Sequence, residues 1–416
     1  MARFRHVRPT KGYAVRIAIW NNLPSGGGQR ALYDQVQGLL ARGHDIELWS
    51  TDRADRTLID LEALVPHHRV AVEPVQLPFS RYLPNPIHFY LKRRVRAMDA
   101  HCLEVAGQIH RGGFDVVLAS TCQEFSASRL GRFLEIPSVL YLQEPSRPLF
   151  EDPERFAIRD RPHSLRGIKD ALMDMIMVRR AGQSMRAEID SAAAFDQILV
   201  NSRFSAESIQ RSYGLSSRVC LLGVDAAVWT CLRSPTRSVV SIGTLHAHKR
   251  TALVLEALSL TSEPHPELHW IANGADTGYR SAMVELADTL GVTIVLHEQI
   301  PRAEMLEILG SAAMLVYAPV LEPFGYAPLE CAAAGLTTVG VAQGGMRETV
   351  EHLRTGLLTQ DDPEEMAAAI DLILGDDGFR VRLEEAAQRT VRERWTISQA
   401  AERLEHELER VVDQAR

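Results

Sequence analysis

The chain has 416 residues, 46% apolar and 24% charged, enough for two domains with full cores and typical of a globular protein. No run reaches 18 apolar residues, and the five cysteines (102, 122, 220, 231 and 331) include no C-x-x-C pair. Those features argue against a membrane-spanning protein, a disulfide-stapled domain and a zinc ribbon, and they fit a reducing cytosol.

The formal net charge of −7 is unevenly spread: residues 1–200 carry 27 Lys and Arg against 23 Asp and Glu, the remainder 19 against 30. A basic half beside an acidic half points to an anionic partner for the first. Nucleic acid is not expected, because no helix-turn-helix, RRM-like or zinc pattern is present. The basic N-terminus lacks an apolar signal core, which leaves a cytoplasmic location as the expectation.

Residues 15–20 (VRIAIW) read as a buried parallel strand. NNLPSGGGQR follows, then a helix pattern through Leu32, Val36, Leu39 and Leu40, then a strand at 46–50. This is a βαβ unit, in which Gly26, Gly27 and Gly28 let the backbone approach a ligand at a helix N-terminus. No acidic residue stands at the spacing that reads a dinucleotide ribose.

Residues 69–75 are a candidate third strand, and 84–111 read as a helix. Its Tyr90, Lys92, Arg93, Arg94 and Arg96 form either a solvated face or a patch for an anionic membrane surface. Strands at 115–120 and 137–142 follow, the second running into Gln143-Glu144-Pro145-Ser146-Arg147. Residues 156–189 read as a long basic helix, either a second surface-binding helix or, slightly favoured, one packed on the sheet; 195–200 read as a sixth strand, and Asn201 or Ser202 as the next helix cap.

Residues 226–237 read as a linker. A second alternating block begins at 239–242 and runs into Gly243-Thr244-Leu245-His246-Ala247-His248-Lys249-Arg250. Lysine is rare here (Lys11, Lys92, Lys169 and Lys249), and a cation at a helix start is unfavourable unless an anion answers it. Strands at 268–272, 292–296 and 313–317 alternate with helices at 279–290 and 302–309, and the first two lead into Asn273-Gly274-Ala275 and Gln299-Ile300-Pro301. Helices at 363–374, 379–395 and 397–412 end the chain, with Asp361-Asp362 and Asp376-Asp377 as caps.

The stretch at 321–345, LEPFGYAPLECAAAGLTTVGVAQGG, organises the second block. Pro328 predicts a helix start near itself, with Glu330 in the first turn and Gly335 just past the end. The amides of Gly325, Tyr326 and Ala327 then lie at the positive end of a helix, where phosphate binds readily. Glu322 lies upstream on the same loop, and Gly344-Gly345 form a turn after a strand at 337–341.

The run E-P-F-G-x-x-P-L-E-C-A-A-A-G-L-T-T-V resembles the E-x7-E signature of the retaining glycosyltransferases of family 4 (GT4). The resemblance extends over residues 14–50 and 110–395. It implies an α/β chain of the GT-B fold, two doubly wound Rossmann-like domains with a cleft between them. The expected division is 1–225 for the acceptor and 226–395 for the nucleotide-sugar, with the helix at 396–416 returning to the first domain.

The resemblance further implies a donor site of Gly27, Gly28, Gly243, Thr244, Lys249, Arg250, Gly274, Ile300, Phe324, Gly325, Tyr326, Ala327, Glu330 and Gly345. Glu330 would hold ribose hydroxyls and Glu322 a donor-sugar hydroxyl. Lys249 and the amides near Gly325 and Gly345 would stabilise the leaving diphosphate. Gln143, Glu144 and Arg147 would face the acceptor. Two positions depart from the pattern: Thr244 where an arginine is usual, and Gln143 where a histidine is usual.

The front-face transfer that the resemblance also implies needs no cofactor, and without a D-x-D pair no metal is implied. The partners expected are a nucleotide-sugar, with GDP-sugars slightly favoured, a glycan, lipid-linked or small-molecule acceptor, and an anionic membrane surface. An oxidoreductase would need the missing fingerprint. A phosphorylase would need a cofactor lysine, and none follows Lys249. A GT-B protein that binds without transferring is the alternative left open by Thr244 and Gln143.

Overall fold

In a computed structural model, residues 14–24, 26–54, 60–75, 90–151 and 165–416 are described. They divide into two compact units: residues up to Leu142 with Ser146–Ile198 and Leu404–Arg416, and Gln143–Pro145 with Leu199–Arg403.

The first sheet runs β3-β2-β1-β4-β5-β6-β7. Its strands are β1 Arg16–Asn22, β2 Asp45–Thr51, β3 His67–Val70, β4 Val116–Cys122, β5 Ser138–Tyr141, β6 Gln197–Val200 and β7 Arg218–Val219. Ile17, Ala18, Ile19 and Trp20 are all fully buried, so β1 is covered on both faces, as a parallel strand between helical layers must be. It pairs in parallel with β2 and β4. Helices α1 Gly27–Ala41, α2 Leu91–Gly112, α3 Arg147–Phe150, α4 Leu165–Ala192 and α5 Arg203–Tyr213 lie between these strands in the chain.

The second sheet is parallel throughout, in the order β10-β9-β8-β11-β12-β13. These strands are β8 Val239–Ile242, β9 Leu268–Ala272, β10 Ile294–Glu298, β11 Met314–Tyr317, β12 Thr337–Val341 and β13 Gly356–Thr359. They alternate with α6 Thr251–Ser259, α7 Thr277–Leu290, α8 Arg302–Ser311, α9 Tyr326–Ala334, α10 Met346–Thr349, α11 Pro363–Gly375 and α12 Asp377–Arg394. Leu255, Trp270, Val316, Val339 and Ile370 join in one buried core.

The last helix, α13, spans Ile397–Ala415. Its Glu405 pairs with Arg42 and meets His44 Nε2 at 2.9 Å, and Arg410 donates to Gln197 Oε1 at 2.7 Å. The His44 Nδ1 accepts from the Val15 N–H at 3.2 Å, so Nε2 carries the proton and donates to Glu405.

Each sheet reverses its winding once, between β1 and β4 and between β8 and β11. A doubly wound sheet opens its ligand crevice beyond the carboxyl ends of the strands at such a point.

Several expectations shift. Helix α9 begins at Tyr326 rather than Pro328, so Glu330 falls beyond the first turn. Pro328 fits the third helical position because the first four N–H groups of a helix have no intrahelical acceptor anyway. The edge strand β13 was not read, and β3 begins two residues before the expected 69. The beginnings of the helices expected over 84–111 and 156–189 lie outside the described residues. Asp362 and Asp376 cap α11 and α12. Asp361 is not a cap: it takes the Arg250 guanidinium.

Candidate functional site

The loops after β8 and β11 flank the reversal of the second sheet. The first starts at Gly243, whose φ of 151° favours glycine and whose carbonyl accepts the Trp270 indole N–H at 2.9 Å. The Lys249 stem lies across it, with Cε 3.2 Å from where a Cβ at 243 would stand. A short 3₁₀ turn, residues 247–249, then aims Lys249 at the second loop, where its Nζ meets Glu322 Oε2 at 2.8 Å. The anion that a helix-start cation requires is thus Glu322. Both side chains are half-buried, at 16% and 18% exposure, so the pair is less screened than a surface pair.

Beneath them lies Tyr317, the last residue of β11. Its ring centre is 5.7 Å from Lys249 Nζ, and its phenol feels the Glu322 carboxylate. Burial, reinforced by the charges of Glu322 and Glu330, pushes the Tyr317 phenol well above its ordinary range, so it stays a proton donor. Sequence reading missed this residue, since nothing distinguishes it from an ordinary core tyrosine.

Arg250 faces away from the pair. It adopts a left-handed conformation (φ 52°), donates Nε to Ala318 O at 2.6 Å and pairs through Nη1 with Asp361. Gln343 also reaches Asp361, at 3.3 Å.

The second loop is seated on Gly344-Gly345. The Gly345 N–H, expected to face a leaving group, instead donates to Glu322 O at 2.7 Å. A Cβ at 345 would overlap the Pro323 carbonyl oxygen and lie 2.8 Å from Phe324 Cα. Gly325, at φ 93°, then turns the chain into α9, whose N-terminal amides belong to Tyr326 and Ala327. The Phe324 ring is buried edge-on to Tyr326 and Trp395. Glu330 is half-buried one turn into α9.

Two contacts from α5 brace this loop, and both were missed from sequence. Ser202, its N-cap, donates to Pro323 O at 2.5 Å. Glu348 of α10 accepts the Arg203 and Phe204 N–H groups at 3.0 and 3.1 Å, neutralising the start of α5. Ser205 donates to Gln143 O at 2.7 Å.

The remaining expected residues are more scattered. Gly274 follows β9 with open space beside its Cα, and its carbonyl accepts the Leu245 N–H at 2.9 Å. Ile300 follows Gln299, itself at φ 54°. Thr244 lies half-buried after Gly243. Gly27 and Gly28 open α1 in the first unit, after Gly26 at φ 150°. Gln143 and Glu144 fall in the second unit, whereas Arg147 falls in the first, opening α3 within 3.8 Å of Glu151.

On α2, Lys92, Arg93 and Arg96 are exposed, but Arg94 is not part of that face. It turns inward over Phe125 and donates to Glu124 O at 2.9 Å. Among the described residues no group of three or more His, Cys, Asp or Glu is placed to hold a metal, and no helix is long and apolar enough to cross a membrane.

This arrangement gathers a cation, two carboxylates and a helix N-terminus at a switch point, the groups that a sugar joined to a diphosphate would engage. The family model for glycosyl transferases group 1 matches residues 232–390, and the model for glycosyltransferase family 4 matches residues 25–228. The chain belongs to glycosyltransferase family 4.

This family 4 chain is 24% identical over 270 residues to the alpha-1,3/1,6-mannosyltransferase ALG2 of Homo sapiens, covering 56% of this chain and 64% of that protein. It is 27% identical over 246 residues to the D-inositol 3-phosphate glycosyltransferase of Acidothermus cellulolyticus, covering 53% and 55%. The matched stretch spans less than two thirds of either relative. Among solved structures it resembles HepE of Anabaena in complex with UDP and glucose (TM-score 0.69, 18% identity, 95% of this chain and 100% of that one). It also resembles the sucrose-phosphate synthase of Thermosynechococcus elongatus (TM-score 0.72, 17% identity, 97% and 100%). The fold is the two-domain α/β GT-B fold.

Proposed function

We propose that this family 4 chain is a hexosyltransferase that moves a sugar from a nucleoside-diphosphate sugar to a hydroxyl acceptor, retaining the anomeric configuration. The observation that carries the reading is the Lys249–Glu322 pair, 2.8 Å apart beside the α9 N-terminus at the switch point of the second sheet. The family membership supports it, as does the bound UDP and glucose named for the HepE structure.

In this reading the second unit binds the donor and the first receives the acceptor. Lys249 exchanges Glu322 for the diphosphate, to which α9 also offers its positive end. Glu322, released from the lysine, accepts a hydroxyl of the donor sugar. Glu330 accepts the ribose hydroxyls. As the glycosidic bond breaks, charge grows on the diphosphate, and the ammonium and amides stabilise it in place before the reaction. The acceptor proton goes to the leaving diphosphate, so neither a protein nucleophile nor a metal is required.

Proton NMR of the purified chain with UDP-glucose, GDP-mannose or ADP-glucose tests this, with and without a chelator. Slow donor hydrolysis or transfer that first yields the donor's own anomer, unchanged by chelator, supports it. Initial appearance of the opposite anomer, or no turnover of any donor, would overturn it.

A further inference from the structure

The first turn of α5 carries a row of buried hydroxyls. Ser202, its N-cap, donates to Pro323 O at 2.5 Å, so its single proton is taken and its oxygen accepts the Ser205 N–H at 2.9 Å. The Ser205 Oγ lies 2.7 Å from Gln143 O, 2.8 Å from Asn201 Oδ1, 3.1 Å from Ser202 Oγ and 3.5 Å from Pro323 O. It too has one proton, set among four acceptors. Asn201, Ser202 and Ser205 are all buried, so these bonds are made within the protein.

The two carbonyls at the ends of this row have different neighbours. Pro323 directly follows Glu322, whose carboxylate Lys249 holds at 2.8 Å. The proline ring fixes φ, so a shift of the Glu322 backbone carries the Pro323 peptide with it. Gln143 follows β5 by two residues, at the carboxyl end of a strand, where an α/β sheet presents its ligand-facing groups. Gln143–Pro145, α5 and the Glu322 loop all fall in the same compact unit. The loop and α5 are tied to one short segment as well. Gly345 donates its N–H to Glu322 O at 2.7 Å, and Glu348, three residues on, accepts the first two α5 amides.

Building on the donor-site reading above, we infer that Ser205 is a positioning residue: it couples the loop that holds the donor to Gln143, the residue expected to face the acceptor. Without donor, its proton divides between Gln143 O and Asn201 Oδ1, which lie at nearly equal distances. A bound donor takes Lys249 from Glu322 and fixes the loop, and Ser202 passes that order to Ser205 through two hydrogen bonds. The proton then settles on Gln143 O, and the strand end is held for the incoming hydroxyl, whose alignment the transfer requires. A hydroxyl with two alternative acceptors is the two-state element that such coupling needs. Ordering alone is enough to carry it, without a large displacement.

Hydrogen exchange of the full chain, read by mass spectrometry with and without saturating UDP, GDP, ADP or dTDP, tests the inference. The nucleotide that binds should slow exchange in a peptide spanning 321–326. It should also slow exchange in one spanning 142–147 by about fivefold, the worth of one hydrogen bond. Ser205→Ala keeps the Ser202 cap, so the slowing at 321–326 should persist while that at 142–147 disappears. Ser205→Cys, close in size and a weak donor, should behave in the same way, and it decides the matter if Ser205→Ala does not fold. A serine that merely packs would leave the nucleotide-dependent change at 142–147 in place. Slowing confined to one of the two segments in the wild type, or slowing at 142–147 that survives substitution, overturns the inference and leaves the donor site standing. No slowing in either segment with any nucleotide overturns the donor-site reading and the inference with it.

Discussion

Gly345→Ala is expected to unseat the loop that carries Glu322. Gly345 has φ −69°, which alanine adopts freely, so any cost comes from contact alone. The new Cβ would overlap Pro323 O and stand 2.8 Å from Phe324 Cα, where carbons ordinarily rest about 3.5–4.0 Å apart. The loop must therefore withdraw by roughly 0.7 Å or more, which also breaks the Gly345 N–H bond to Glu322 O. Overpacking costs about 1–3 kcal/mol, and the lost hydrogen bond about 1 kcal/mol more. At about 2–4 °C per kcal/mol for a unit of this size, the melting temperature should fall by roughly 4–16 °C. Donor affinity should fall with it, because Glu322 is carried by the displaced backbone. Gly274→Ala is the control: nothing lies within 4 Å of its Cβ position, and a change below about 0.5 kcal/mol is expected. Calorimetric melting of both variants, with and without nucleotide, measures the difference. A Gly345→Ala protein that melts within 2 °C of wild type (about 0.5–1 kcal/mol) and binds nucleotide normally would refute the reasoning.

Three further outcomes are expected. Burial pushes the Glu188 carboxyl up to about 7, against the Ala127 N–H and the nearby Arg94 and Arg129. The folded state therefore holds a proton that the unfolded chain releases above about pH 4.5, and stability drains away as pH rises from there to about 7. Glu188→Gln keeps an acceptor for Ala127 and should gain about 2 kcal/mol on wild type between pH 5 and pH 8 in urea melts; an equal difference at both pH values would contradict it. Glu348→Ala removes the acceptor of two α5 amides and should cost about 1–2 kcal/mol, read by urea melts; no loss would mean that solvent replaces it. Asp361→Asn should change stability by less than about 1 kcal/mol, since its carboxylate is half-exposed, yet tighten donor binding several-fold with a steeper salt dependence. Unchanged affinity would show that the Arg250 charge is not felt at the site.

The alternation of apolar strands and helices is legible because a parallel sheet covered on both faces demands unbroken apolar runs. Residues 337–341 matched their strand, β12, to the residue. The edge strand β13 was not read, because GLLT is short and opens on a glycine that must fit against Thr338 O. The start of α9 was misread because proline is tolerated at any of the first helical positions, not only the first.

Within the site, Lys249 stood out by the rarity of lysine and by its place after a strand. Its partner was legible only as one of two spaced glutamates. The supporting groups were hidden, because Tyr317, Asp361, Glu348 and Ser202 come to the site from four separate segments. Spacing along the chain carries no record of such convergence. Arg94 was misassigned for a related reason: a run of cations on a helix does not say which one turns inward.

The most direct test of the account is nucleotide binding by the wild type, Lys249→Ala and Glu330→Ala proteins, measured by thermal stabilisation with UDP, GDP, ADP and dTDP. The account predicts that one nucleotide stabilises the wild type and that both substitutions abolish the shift while leaving the protein folded. Stabilisation that survives both substitutions, or no stabilisation by any nucleotide, would contradict it.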